Sequence, residues 1–242
     1  MSFLSGVVRR VRGGDAAAAA PARAARRSLP ARAYGANWVP RDETEAMDQI
    51  LNNTDVQAFE AAGRSDADTL APLIQPSDAV LDLGCGIGRV VRYVAPLCRE
   101  IWAVDASERM LELARARLAE LDNVRFSQSS GTELPELRDS SIDFAYSLLT
   151  LQHLEREDAF LLLREVRRVL RSGSRAYFTF PNLLSDTYLE HFVHYADAGE
   201  TGNPARARFY TPQEVQRILP AAGFEVEQLE PRTEILVTCR AA

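Results

Sequence analysis

The chain has no lysine: all 28 of its basic residues are arginine. Together with its abundant alanine this reflects the coding bias of a GC-rich, bacterial type of genome, so a lone surface arginine carries little functional information. Cysteine is scarce as well. Cys85, Cys98 and Cys239 are odd in number and form no CxxC pair, so nothing signals a disulfide framework or a thiolate metal site, and a reducing cytoplasm is the expected setting. With three histidines and no His/Asp/Glu cluster at ligand spacing, no metal site is expected. No apolar run reaches the roughly 18 residues of a membrane span, which predicts a soluble body without a transmembrane segment. What is present is ordinary globular composition over 242 residues, 46% hydrophobic and 26% charged, enough for one domain with appendages.

Charge divides the chain unevenly. Residues 1–32 carry seven arginines against Asp15, whereas the remainder is strongly acidic. An acidic body disfavours nucleic-acid backbones, which need a basic footprint, and a small-molecule partner is expected instead. Residues 1–32 read as a disordered Arg/Ala-rich tail. Within it Phe3, Leu4, Val7, Val8 and Val11 share a helical face, which allows a weak peripheral contact with a membrane surface or an Arg-rich targeting segment. Arg9, Arg10 and Arg12 interrupt the apolar stretch and argue against a secretory signal. The sequence is silent on oligomeric state.

Residues 33–76 form a helical cap, with Asp66 expected to cap a helix that ends near Pro76 and buries Leu70, Leu73 and Ile74. Residues 77–242 then alternate strand and helix. Strands are expected at Ala79–Leu83, Glu100–Val104, Val124–Phe126, Ile142–Ser147 and Arg175–Phe180. Helices are expected at Arg89–Leu97 (bent at Pro96), Glu108–Leu121, Glu155–Leu170 and Thr211–Ala222. Thr211 and Glu214 form a capping-box pattern and Gly223 a stop. Phe224–Leu229 and Glu234–Cys239 close as an antiparallel pair. The pattern predicts an α/β fold: a Rossmann-like, doubly wound, mostly parallel seven-stranded sheet with helices on both faces and an antiparallel C-terminal strand. Ligands of such sheets bind outside the carboxyl ends of the strands, where strand order reverses. A lid-like insertion, 182–208, interrupts the core; Tyr188, His191, Phe192 and Tyr195 recur in it at helical spacing.

The most specific segment is Asp82-Leu83-Gly84-Cys85-Gly86-Ile87-Gly88-Arg89, three alternating glycines between a strand and a helix. Glycine there lets a ligand lie against bare backbone. A nicotinamide fingerprint, GxGxxG, would need glycine at 89 or 91, where Arg89 and Val91 stand. Asp105 ends the second strand, where a carboxylate can accept hydrogen bonds from both hydroxyls of a ribose. Cys85, inside the loop, reads as a small packing residue rather than a nucleophile.

An acid two residues before GxGxG resembles the first motif of class I S-adenosylmethionine-dependent methyltransferases of the small-molecule type. The likeness continues through Asn123-Val124-Arg125-Phe126, Thr132-Glu133-Leu134-Pro135, Ser141–Ser147, Leu151-Gln152-His153-Leu154, the 163–174 helix and turn, and Phe209-Tyr210-Thr211-Pro212. It implies S-adenosyl-L-methionine as cofactor, held by Asp82, Gly84, Cys85, Gly86 and Gly88 in the loop and by Asp105, Ala106 and Met110 beyond the second strand. Ser130, Gly131 and Thr132 stand at the adenine-reading segment, with Ser130 in place of the family's aspartate, and Ser147 ends the fourth strand. Arg64 is expected to pair with the cofactor carboxylate. The cofactor's sulfonium is already a good leaving group, so the protein's task is placement of the acceptor and exclusion of water. His153, just past the fourth strand, is the expected base for a hydroxyl acceptor. Tyr34, Trp38, Tyr188, His191 and Tyr195 are candidate acceptor contacts. The resulting expectation is an enzyme methylating a hydroxyl oxygen of a small metabolite, a sugar or natural product. A small-amine N-methyltransferase and a catalytically silent cofactor-binding subunit are the alternatives.

Overall fold

The computed structural model describes residues 34–242, Pro204 excepted. The expectations for residues 1–32 lie outside the described residues. After a 3-10 turn at Tyr34–Asn37 come α1 (Glu43–Leu51) and α2 (Val56–Leu70). Each starts on an aspartate: Asp42 accepts from the backbone N–H of Glu45 and Asp55 from that of Ala58, both at 2.9 Å, so an otherwise unpaired N–H is satisfied. Asp66 therefore does not cap a helix; it lies inside α2 and forms an ion pair with Arg89. The expected burial of Leu70 and Ile74 is observed, with Leu73 partly buried.

The core alternates as β1 (Ala79–Leu83), α3 (Val91–Val94), β2 (Glu100–Asp105), α4 (Glu108–Arg117), β3 (Val124–Gln128), β4 (Ile142–Ser147), α5 (Arg156–Val169) and β5 (Leu170–Pro181). It finishes with α6 (Asp186–Asp197), α7 (Pro212–Ala222), β6 (Phe224–Pro231) and β7 (Glu234–Ala241). Pro96 lies in a 3-10 turn that follows α3, because proline cannot supply the next helical N–H. Capping by Thr211 and Glu214 is reciprocal, and Gly223 ends α7 at φ 98°. β5 is longer than its apolar run. Its register with β4 jumps from Ile142–Leu170 to Phe144–Arg175, so Ser172-Gly173-Ser174 bulges instead of ending the preceding helix in a free turn.

The seven strands order as β3-β2-β1-β4-β5-β7-β6, parallel through β5 and antiparallel at β5–β7 and β7–β6. One face packs Phe178, Phe180 and Val237 against α5 and α7. The other packs Phe144, Tyr146 and Ile101 against α2, α3 and α4. Strand order reverses between β1 and β4, and a cleft opens beyond the carboxyl ends of those strands, as the crossover rules require.

Candidate active site

The loop after β1 is the floor of that cleft. Gly84 (φ 85°) and Gly86 (φ 54°) adopt the left-handed conformation. A Cβ on Gly84 would lie 2.0 Å from Thr150 Oγ1, and one on Gly86 would lie 2.8 Å from Ile50 Cδ1. Gly84 has no room for a side chain, and one at Gly86 would be held in left-handed backbone and displace the end of Ile50, so bare backbone faces the cleft. The loop is tied to β2 by the N–H groups of Gly84 and Cys85, which donate to Val104 O at 2.7 and 2.9 Å. Asp105 fastens it from the other side. Its Oδ2 accepts from Gly86 N at 2.9 Å and its Oδ1 from Ser107 N at 2.8 Å. Burial pushes the Asp105 carboxyl above its usual range, opposed by those backbone donors.

Asp82 is buried beneath the loop and accepts from Tyr146 Oη at 2.9 Å. Burial raises its pKa to about 7, against the Tyr146 bond and the Arg89 charge, which both lower it. A raised carboxyl pKa favours the folded state at low pH, and that contribution fades as pH climbs towards 7. Asp82→Asn, neutral throughout, should therefore gain stability relative to the parent between pH 5 and pH 8.5, by on the order of 2–3 kcal/mol. Denaturant midpoints at the two pH values measure this; an offset independent of pH would contradict it.

The roof comes from the N-terminal segment. Tyr34 is buried, its hydroxyl donates to Asp158, and its ring lies where a Cβ on Gly131 would be. Ser107 Oγ donates to Trp38 O, and Arg109 donates to the carbonyls of Pro40 and Arg41 at 3.0 and 2.6 Å. Trp38 meets His153 edge-to-face, centroids 4.7 Å apart.

His153 is fixed in one tautomer. Its Nδ1 lies 2.9 Å from Ala205 O. A carbonyl only accepts, so Nδ1 carries the proton and Nε2 presents a lone pair, 3.3 Å from the Gln152 amide nitrogen. Burial, assisted by the charge of Arg208, lowers the imidazole pKa to about 4. The resting ring is neutral.

The cleft is lined by the expected Asp82, Gly84, Cys85, Gly86, Asp105, Ala106, Met110, Gly131, Tyr34, Trp38 and His153. Other expected residues are elsewhere. Gly88 packs on Leu118 behind the loop. Ser147 is fully buried and donates to Leu83 O at 2.9 Å. Ser130 is exposed, its Oγ accepting from the N–H groups of Thr132 and Glu133 in a local turn, so it and Thr132 brace the segment while Ser129 and Gly131 line the cleft. Arg64 stacks over the Tyr93 ring, 5.0 Å from its centroid, and does not reach the cleft. Tyr188 and Tyr195 of the insertion, with Phe192, stack on Phe209; Tyr188 also donates to Glu234 and contacts His191. No residue of 182–208 lines the cleft among those described. The insertion instead supports the site from behind, since Ala205 orients His153 and Arg208 N donates to Gln152 O at 2.7 Å.

Sequence reasoning missed Gln49, Ile50, Arg89, Tyr146 and Thr150, all cleft-lining. Arg89 was visible as the residue ending the glycine loop; Gln49 and Ile50 come from α1, Tyr146 from β4 and Thr150 from the turn after it, and their approach to the loop is a tertiary matter. Leu149, also at the wall, takes φ 57°, a conformation that costs a non-glycine residue energy and clusters at functional sites. The three cysteines are free and buried, with thiol pKa values pushed up by desolvation, in keeping with packing roles. Among the described residues no cluster suited to a metal occurs, and no helix is long and apolar enough to cross a membrane.

A family model described as a methyltransferase domain matches residues 81–178, from the glycine loop to β5. Bacillus subtilis YcgJ, named an uncharacterized methyltransferase, is 30% identical over 62% of this chain and 58% of its own length. Its crystal structure superposes with a TM-score of 0.56 at 25% identity, over 72% of each chain. Residues 81–178 carry a methyltransferase domain of the class I, S-adenosylmethionine-dependent type. An uncharacterized 37.1 kDa protein from a Streptomyces fradiae transposon is 30% identical over 83% of the chain and 57% of its own length. A ubiquinone biosynthesis O-methyltransferase of Thiobacillus denitrificans is 27% identical over 69% of the chain and 72% of its own length. The chain thus spans less than three fifths of the length of the first two relatives. The cofactor implied is S-adenosylmethionine, and the cleft fits it: a glycine floor with no room for side chains, a carboxylate at the end of β2, and Met110 and Gly131 beyond it.

Proposed function

We propose that this methyltransferase moves a methyl group to a hydroxyl oxygen of a small molecule. The observation that carries the reading is the state of His153: neutral, with Nδ1–H committed to Ala205 O, so that Nε2 is the accepting atom of the ring, held by a single 3.3 Å contact to the Gln152 amide that an acceptor hydroxyl can replace. S-adenosylmethionine, when bound, supplies a methyl group on a sulfonium that needs no acid to leave. The protein supplies position and a proton acceptor. A base whose conjugate acid lies near 4 does not ionise an alcohol beforehand. It receives the hydroxyl proton as the new O–C bond forms, when the alkylated oxygen has become far more acidic than an imidazolium. Trp38 and Tyr34 line the cleft, and walls of this apolar kind disfavour water beside the transferring methyl. The O-methyltransferase of Thiobacillus denitrificans supports transfer to oxygen by likeness.

The test is transfer of isotopically labelled methyl from S-adenosylmethionine to a panel of phenols, sugars and small amines. The reading expects a labelled methyl ether. Labelled N-methyl products only would overturn transfer to oxygen.

A further inference from the structure

Two buried polar atoms without partners line the same cleft. Arg89 is only 5% exposed. Its Nη2 pairs with Asp66 at 2.6 Å, but its Nη1 is buried with no hydrogen-bond partner. Gln49 Oε1 is likewise buried and unpartnered. Both residues line the cleft beside the glycine loop. A buried donor left unsatisfied is costly, more so when charged, so such atoms mark places where a ligand completes the bonding.

The fold provides for Arg89 in particular. Gly63 lies in the middle of α2, where glycine is destabilising relative to alanine. A Cβ there would lie 2.4 Å from Arg89 O and 2.9 Å from Arg89 Cγ, so the glycine is what admits the arginine between helix and loop. Asp66, one turn further along α2, holds one arm of the guanidinium and leaves the other free. A donor carrying positive charge and a carbonyl acceptor in one cleft match the two ends of an α-amino acid.

We infer that Arg89 binds the carboxylate of the cofactor's amino-acid moiety through Nη1, and that Gln49 Oε1 accepts from its ammonium group. The position expected of Arg64 passes to Arg89, because Arg64 is spent on the Tyr93 ring. Arg89 acts on cofactor binding and geometry and takes no proton.

The experiment compares, by calorimetry without acceptor, S-adenosylmethionine with its decarboxylated form, which keeps the ammonium and lacks the carboxylate. The parent protein should prefer the intact cofactor by about 10–100-fold, the scale of one charge-assisted bond. Arg89→Met should erase that preference by weakening the intact cofactor alone, and Arg89→Lys should restore part of it. Gln49→Leu should weaken both ligands equally and preserve the preference. Arg64→Met should change neither. Gly63→Ala, which displaces Arg89 without altering its charge, should lower the preference and serves should Arg89→Met not fold. A preference that survives Arg89→Met or Gly63→Ala overturns the inference, as does equal weakening of both ligands in Arg89→Met. Because no acceptor is present, failure here is separate from failure of transfer to oxygen.

Discussion

His153→Asn is expected to slow methyl transfer to a hydroxyl by about 10²–10⁴-fold, the usual worth of a positioned base. The dissociation constant of S-adenosylhomocysteine should hold within about threefold, a change below 1 kcal/mol. Asparagine keeps an N–H donor for Ala205 O, so the wall behind the residue is preserved and only the Nε2 lone pair is lost. A variant that transfers methyl as fast as the parent would remove His153 from the chemistry. The pH profile gives an independent reading. A ring with its pKa near 4 should leave the rate flat from pH 5.5 to 8.5, where an ordinary histidine would impose a fall near 6.5. Folding shows the opposite face of the same shift. The unfolded chain takes up a proton at His153 below pH 6.5 and the folded chain only near 4, so this residue withdraws stability as pH falls through that interval.

The second large effect concerns Asp105. Its two oxygens already hold Gly86 N and Ser107 N, yet a carboxylate offers about four acceptor sites, so Asp105 fixes the glycine loop and the turn before α4 and remains able to accept from a ribose. Asp105→Ala should weaken S-adenosylhomocysteine by about 10²-fold or more, since charged hydrogen bonds contribute about 1.5–3 kcal/mol each. Asp105→Asn should fall between, because its amide offers one acceptor and turns a donor towards a backbone N–H. Calorimetry checks both. An alanine variant binding within a few-fold of the parent would mean that the acid serves the loop alone.

Much of this was legible along the chain because it is local. The loop from Asp82 to Gly88 demands positive φ and close approach, the strands are short apolar runs bounded by turns, and Thr211, Glu214 and Gly223 specify their helix by adjacent bonds. What was misread depends on contacts between distant residues. Asp66 has the chemistry of a helix cap, but Asp55 took that position and Asp66 turned to Arg89. Arg64 and Arg89 are equivalent in composition; Tyr93 and Gly63 decide which one reaches the cleft. The aromatic stripe of α6 has the spacing of a lid, and Phe209, outside the helix, is what it covers. Ser130 lost its place to its neighbours because its hydroxyl was captured by the next turn, the usual competition between a serine side chain and the backbone.

The α6 stripe carries a lesson about the insertion. Its aromatic groups pack on Phe209, while its main chain reaches the site through Ala205 O and Arg208 N. Backbone contacts of this kind leave no trace in residue type.

The most direct measurement is a calorimetric titration of the purified chain with S-adenosylhomocysteine, and with NAD in parallel. Saturable one-to-one uptake of the thioether, displaced by S-adenosylmethionine and absent for NAD, is the predicted result. Silence towards both sulfur compounds up to millimolar concentration would contradict the account at its root.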